Sequence, residues 1–182
     1  MSNKPLTRRV VNVTIKGTSP LLMNRFVEDT TTTKKTKNTY DDKEEAKSRL
    51  YADESGNPYQ PGEHIERALQ KAGGNFIYKK RKTYIDYLKA GVFVTPDAIP
   101  HKIADWEIDR RPVVIQKSRI MRARPKFPEW ELDFQIEIID PNIEPAQLKE
   151  ILDYAGMYIG IGDYRPKFGR FMVTKFEEEP TT

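Results

Sequence analysis

Gly160-Ile161-Gly162-Asp163-Tyr164-Arg165-Pro166-Lys167-Phe168-Gly169-Arg170-Phe171 joins a helical stretch to the last strand of the chain. Gly160, Gly162 and Gly169 permit positive φ and close approach of backbone to a ligand, while Arg165, Lys167 and Arg170 supply charge. A dinucleotide fingerprint follows a strand and opens a helix; this segment does the reverse, which excludes that class. No Gly-Lys-Ser/Thr occurs, so a Walker A phosphate loop is absent too. A tight helix-to-strand turn with a glycine cap is the competing reading, and the two are compatible. On the upstream side, residues 146–158 place Leu148, Ile151, Leu152, Ala155 and Tyr158 on one helical stripe. On the downstream side, residues 170–176 carry Phe171, Val173 and Phe176 in a strand.

Further out, residues 130–138 alternate Trp130, Leu132, Phe134, Ile136 and Ile138 with Glu131, Asp133, Gln135 and Glu137, which predicts a strand with one buried face. Residues 112–123 are rich in Val113, Val114, Ile115, Ile120 and Met121 and predict a second strand, with residues 125–129 as the hairpin loop between them. Near the start, Val11, Val13 and Ile15 alternate with Asn12, Thr14 and Lys16, predicting a strand over 8–16, and Leu21-Leu22-Met23 returns to the core. Pro61-Gly62 opens a helix over 63–72, with Ile65, Ala68 and Leu69 on one face and Gly73-Gly74 at its end. Residues 92–94 read as a short strand and 96–106 as loop, while 76–90 have no decided local structure. The order strand, helix, strand, strand, helix, strand is the α+β, ferredoxin-like (RRM-like) split βαβ arrangement. Helices then cover one face of an antiparallel sheet and leave the other face, or its loops, open to a ligand.

At 182 residues the chain suits a single 1–182 domain. Its 32% charged residues against 37% hydrophobic make it polar for a globular chain. Much of that polarity lies over 27–58, where Thr30 to Thr33 and then Lys34, Lys35 and Lys37 cannot bury enough surface to offset ordering entropy. This predicts a mobile inserted loop over 27–58 with one short helix at 42–50, and a frayed acidic tail over 177–182. With no cysteine and two histidines, a disulfide framework, a thiolate metal site and a histidine zinc site are excluded. No apolar run nears the roughly 18 residues of a membrane span, and residues 1–9 lack a signal-peptide core, so a cytoplasmic location is expected, in a bacterial cell or an infected host.

The formal net charge is only +4, so placement matters more than the sum. Arg110, Arg111, Lys117, Arg119, Arg122, Arg124 and Lys126 are seven bases in a window without an acid. On a strand, Arg119, Arg122, Arg124 and Lys126 would project guanidinium and ammonium groups along one edge, suiting a polyanion. The alternative is a solvated strand paired across the hairpin with the acids of 130–138. Further bases cluster at Lys34, Lys35 and Lys37, at Lys79, Lys80, Arg81 and Lys82 beside Tyr78 and Tyr84, and at Arg165, Lys167 and Arg170 beside Tyr164 and Phe168. Bases of a nucleic acid stack on aromatic faces while cations hold its backbone, so this mixture points to a single strand, RNA or DNA, rather than a duplex.

The glycine-rich loop before the last strand, with Ser19-Pro20-Leu21-Leu22-Met23, Ile161-Gly162-Asp163-Tyr164-Arg165-Pro166 and Phe168-Gly169-Arg170-Phe171, resembles the RAMP superfamily. Within it the likeness is to the backbone subunits of CRISPR effector complexes and to small phage-encoded relatives. The resemblance implies binding of single-stranded RNA or DNA along a groove, the 27–58 insertion acting as a thumb, and copies stacking head to tail as a filament or beside CRISPR effector subunits.

Catalysis has little support. Some RAMP proteins cut RNA with a histidine or a loop aspartate; the counterparts available here are His64 and His101, each alone, and Asp29, Asp41 and Asp42 in the insertion, where loop acids are usually solvated. No paired carboxylates at metal-like spacing occur. The expectation is therefore a non-catalytic single-strand-binding protein without cofactor or metal. A RAMP-type endoribonuclease and a phage interaction module that mimics or caps a CRISPR backbone are the alternatives.

Overall fold

The structure is a computed structural model and describes residues 8–27, 41–115 and 118–180. In chain order its elements are β1 (Arg9–Gly17), β2 (Leu21–Leu22), α1 (Asp42–Ser48), β3 (Tyr59–Pro61), α2 (Gly62–Gly73), β4 (Ile77–Lys79), β5 (Lys82–Thr83), α3 (Ile85–Gly91), β6 (Val92–Thr95) and β7 (Ala98–Pro100). There follow β8 (Glu107–Ile115), β9 (Ser118–Phe127), β10 (Glu131–Ile138), α4 (Pro145–Tyr154), a π turn (Ala155–Ile159) and β11 (Phe171–Glu178). No helix among the described residues is long and apolar enough to cross a membrane.

The central sheet is antiparallel in the order β11-β1-β10-β6. With α2 connecting β1 to β6 and α4 connecting β10 to β11, the fold is the ferredoxin-like split βαβ. Alternation is what builds it. Val11, Val13 and Ile15 of β1 and Leu132, Phe134, Ile136 and Ile138 of β10 are buried on one face. They meet Ile65, Ala68, Leu69 and Ala72 of α2 and Leu148, Ile151 and Leu152 of α4 in one core. Each of the larger side chains contributes about 1.5–3 kcal/mol by leaving water, and each alanine about 0.8 kcal/mol.

Two expected strands have different roles. The second strand of the sheet is β6, the short Val92–Thr95 segment, paired to β10. The segment read as the hairpin partner of β10 belongs to an inserted arm, in which β8 pairs with β9 and β9 pairs with β2. Residues 125–127 continue β9 rather than forming a hairpin loop, so the acids of β10 do not face the basic strand. Within the expected loop 96–106, Ala98–Pro100 pairs with β3. The second half of the expected insertion is ordered: α1 packs on the arm, with Ala46 and Leu50 buried, and Ala52 bridges Pro58. Residues 28–40 of the expected insertion lie outside the described residues. The acidic tail is not frayed at its start. Glu177 and Glu178 pair with Asn12 and Val11, and the Glu179 amide donates to Val10; residues 181–182 lie outside the description.

The glycine-rich loop is fastened to the segment after β1. The Gly169 amide donates to the Pro20 carbonyl (2.8 Å), Asp163 to Leu22 (2.8 Å), and Thr18 to Arg170 (2.8 Å), while the Arg170 amide donates to Ser19 Oγ (2.9 Å). Gly162 and Gly169 sit at φ +76° and +75°; a Cβ on Gly162 would lie 2.5 Å from the Leu22 carbonyl oxygen, and one on Gly169 would collide with that of Ile161. The close approach the sequence reserved for a ligand is therefore to the chain's own backbone. Beside this joint, Trp130 is buried and its Nε1 donates to the Ser19 carbonyl (2.8 Å).

His101 is buried, stacked on Phe127 with ring centroids 4.5 Å apart, and neither ring nitrogen has a hydrogen-bond partner among the described residues. Burial pushes its pKa down to about 4.

Gly169→Ala should cost about 2–4 kcal/mol, because positive-φ strain adds to the collision. Gly56→Ala, at φ +85° with nothing within 4 Å, bears strain alone and should lose about 1 kcal/mol. Thermal unfolding of the two variants separates the terms; equal losses would show that the close approach contributes nothing. Between pH 6.5 and about 4 the unfolded chain protonates His101 while the native chain does not. Stability from this group is thus complete above pH 6.5 and falls by about 2 kcal/mol on going to pH 5. Asp53 and Asp133, whose pKa values are lowered, lose their contributions only below that window. Denaturant unfolding at pH 7 and pH 5 should show the fall in the native chain and a smaller one in His101→Phe, where the remainder comes from His64, whose pKa burial also lowers.

Candidate nucleic-acid interface

The loop between the π turn and β11 holds Gly160, Gly162, Phe168 and Gly169 inward and turns Tyr164, Arg165, Lys167 and Arg170 outward. Tyr164 is 53% exposed at φ 55°, so its ring is open to a stacking partner. Arg165, Lys167 and Arg170 have no carboxylate partner among the described residues. From the arm, the Arg111 guanidinium lies 4.6 Å from the Phe168 ring centroid and 5.6 Å from that of Tyr164. Asp109 orients it through two hydrogen bonds, to Nε (2.5 Å) and Nη2 (3.0 Å). Sequence reasoning counted Arg111 among the bases of the strand but did not connect it with the loop, since only the arm's fold over the loop brings the two together.

The remaining expected bases are not all surface charge. Arg122 pairs with Glu45 (2.9 Å), Arg124 with Asp163 (2.7 Å), Lys126 with Glu107, and Arg110 with Asp42 (3.4 Å). The acids come from α1, the far end of β8 and the loop, and Arg119 is left exposed on the arm. The acids of β10 hold other bases: Glu131 and Asp133 bind Lys102 at 2.6 and 2.7 Å. Lys34, Lys35, Lys37 and Lys117 lie outside the described residues.

Lys79, Lys80, Arg81 and Lys82 are exposed on the β4–β5 hairpin, at the C-terminal end of α2. The 12 residues of α2 set this hairpin about 18 Å from the glycine-rich loop. Tyr78 stacks on Tyr87 (3.7 Å) and meets Tyr84 edge-on (5.1 Å), and Tyr84 is buried, so these rings pack on each other instead of offering a platform to bases.

At the other end of α2, His64 enters a cavity of about 120 Å³ beside Gly162 and Asp163 of the loop, with Asn24, Tyr51 and Gln60. Tyr51 meets its ring edge-on at 5.4 Å, and Gln60 Nε2 lies 2.5 Å from Nδ1. Burial first, then Arg165 and Arg67, lowers the His64 pKa, which keeps the imidazole neutral at pH 7. Nothing in the sequence links His64 to residues about a hundred positions away, and it read as an isolated helix residue. A larger concavity of about 730 Å³ lies on the open sheet face, lined by Asn12, Thr14, Lys102, Asp133, Gln135 and Lys175 among others. Its charges are paired, and the ring in its lining, Phe134, is buried. Among the described residues no three His, Asp or Glu side chains gather into a metal site.

No family model and no curated protein matches the chain. Solved structures do. A chain of the Type III-B Cmr-beta cryo-EM structure, bound to cognate target RNA, superposes with a TM-score of 0.64 at 12% identity, over 97% of this chain and 62% of its own length. Cmr6 from Pyrococcus furiosus superposes with a TM-score of 0.51 at 14% identity, over 92% of this chain and 99% of its own. The chain thus spans less than two thirds of the Cmr-beta chain it matches. At such identities the likeness is one of fold, the ferredoxin-like arrangement described above.

Proposed function

We propose that the chain is a non-catalytic binder of single-stranded RNA that works in a CRISPR-like setting, with copies stacking along a longer strand. The observation that carries this is the glycine-rich loop. It sets an exposed Tyr164 among Arg165, Lys167 and Arg170, cations without carboxylate partners among the described residues, on a backbone pinned to the fold. A flat ring and unneutralised cations on one rigid turn suit a base and its flanking phosphates. The target RNA held in the Cmr-beta structure favours RNA over DNA.

The non-catalytic part is supported by where the candidate acids and histidines lie. Asp41 caps α1 by accepting from the Lys43 amide (2.9 Å), Asp42 faces Arg110, and His101 is buried; Asp29 lies outside the described residues. His64 is the candidate base that remains for an endoribonuclease, and its Nδ1 is engaged by Gln60.

Binding measured by anisotropy should favour single-stranded RNA over duplex and weaken with salt, each neutralised phosphate adding about −0.7 to the log–log slope. Arg165→Ala and Arg170→Ala should each lower affinity about tenfold, the worth of one charge-assisted contact of about 1.5–3 kcal/mol. Arg122→Ala, which removes a half-buried partner of Glu45, should lower stability and leave affinity nearly unchanged. Light scattering on strands of increasing length should show stepwise growth. Duplex bound as well as single strand overturns the single-strand reading, unaltered binding in both loop variants overturns the loop's part in it, and no salt-dependent binding of either strand overturns the reading in favour of a protein-interaction module. Strand cleavage that is lost in His64→Ala overturns it in favour of an endoribonuclease.

A further inference from the structure

A strand at the margin of a sheet keeps a row of backbone amides and carbonyls free, and folded chains usually close such margins. The central sheet and the arm have four of them, at β11, β6, β2 and β8. At β6 the Val94 amide donates to the Glu66 carboxylate (2.9 Å), and the strand runs into Pro96. β8 contains Pro112, which has no amide to offer. β2 is 2 residues long. β11 differs from all three. It runs for 8 residues without proline, pairs with β1 on one side, and meets no strand on the other among the described residues.

The ladder shows which groups of β11 are free. The Glu179 amide donates to the Val10 carbonyl, and Glu177 and Lys175 stand opposite Asn12 and Thr14 in the same register. Alternate residues of an antiparallel strand bond to alternate sides, so Phe176 and Glu178 turn their amides and carbonyls away from β1. On the open sheet face, Lys175 and Glu177 flank Phe176 with opposite charges, 48% and 68% exposed. Charges on an edge strand ordinarily repel a partner. Here their order is self-complementary. A second copy laid antiparallel, Phe176 against Phe176, exchanges two backbone hydrogen bonds at that pair and sets Lys175 of each copy opposite Glu177 of the other. Centring the pairing on Lys175 or on Glu177 instead sets like charges opposite each other. The other acids do not oppose the Phe176 register. Glu178 comes opposite Thr174, about 14 Å along the seam from its own counterpart. Glu179 accepts from Asn12 and Gln135 of its own chain, and Asp133, which Lys175 also faces, is held by Lys102 (2.7 Å).

We propose that β11 is a self-association edge: two copies of this chain pair antiparallel about a two-fold axis at Phe176 and join their sheets into one. Backbone hydrogen bonding supplies the contact, and the Lys175–Glu177 order selects the register and the partner. Each glycine-rich loop directly precedes its β11, so the two loops lie at opposite ends of the seam and remain open to nucleic acid. The pairing rests on no part of the RNA reading.

The test is light scattering of the RNA-free chain between about 1 and 200 μM, the range suited to a small interface. The native chain should pass from one copy to two and stop there. Lys175→Glu and Glu177→Lys each set like charges opposite across the seam, and each should weaken association about tenfold or more. Mixed in equal amounts, the two variants again place opposite charges at both pairs, and the native affinity should return, a recovery that misfolded variants could not show. A native chain that stays single throughout the range, growth beyond two copies, charge swaps that leave association unchanged, or swaps whose effect the mixture does not reverse each overturn the proposal. None of these outcomes touches RNA binding, which is read separately with the strand present.

Discussion

The backbone of the glycine-rich loop lies directly against Thr18 to Leu22, and the arrangement of the functional end of the molecule depends on that contact. Each hydrogen bond between the two segments is worth only about 1 kcal/mol net. Their importance lies in what an unmade set would leave behind: buried amides and carbonyls without partners, each carrying its full desolvation cost. Because the loop closes on the segment leaving β1, the entry to β11 is aligned with the strand it pairs to. Asp163, held by its amide to Leu22, is thereby aimed at Arg124 of the arm. Tyr164 and Arg165, on the outer side of the same turn, are left no inward course.

The arm shows how far a count of bases differs from a basic surface. Arg122, Arg124 and Lys126 are partly buried against Glu45, Asp163 and Glu107. Glu45 also accepts from the Ala123 amide (2.9 Å), so one carboxylate ties α1 to both the side chain and the backbone of β9. Removing either partner of a part-buried pair strands the other charge, which makes these residues structural in effect. Of the expected bases among the described residues, those left available to a polyanion sit on the loop, on the β4–β5 hairpin and at Arg119.

Much of the fold was legible because one-sided burial writes a period into the sequence: β1, β10, α2 and α4 each bury an alternating or helical stripe. Periodicity reports that a face is buried, not which sheet buries it. Residues 112–123 are as apolar as a central strand, yet they belong to an arm covered by α1 and β2, while the true second strand of the sheet, Val92–Thr95, is four residues long and gives little pattern. The glycine-rich loop was recognised as a special segment, but its glycines serve the chain's own backbone, a distinction that rests on the position of Leu22 and Ile161 and not on composition. The cavity at His64 was not legible, since Asn24, Tyr51, Gln60 and Asp163 meet there only through the tertiary fold.

An RRM-like sheet offers its open face to bases through exposed aromatics. Here that face carries Asn12, Thr14, Asp133, Gln135 and Lys175, with Thr14 Oγ1 donating to Asp133 (2.7 Å), Lys102 bridging Glu131 and Asp133, and a partly exposed aromatic, Phe93, on the edge strand opposite Glu137. A strand laid there would have to break paired charges and would meet carboxylates in return, an unfavourable exchange at any ordinary salt concentration. The loop end asks for no such exchange, because its cations are not neutralised by described carboxylates. If the same strand also reaches the Lys79–Lys82 hairpin, it must follow α2 for about 18 Å, close to five nucleotides at the roughly 3.4 Å spacing of a stacked strand.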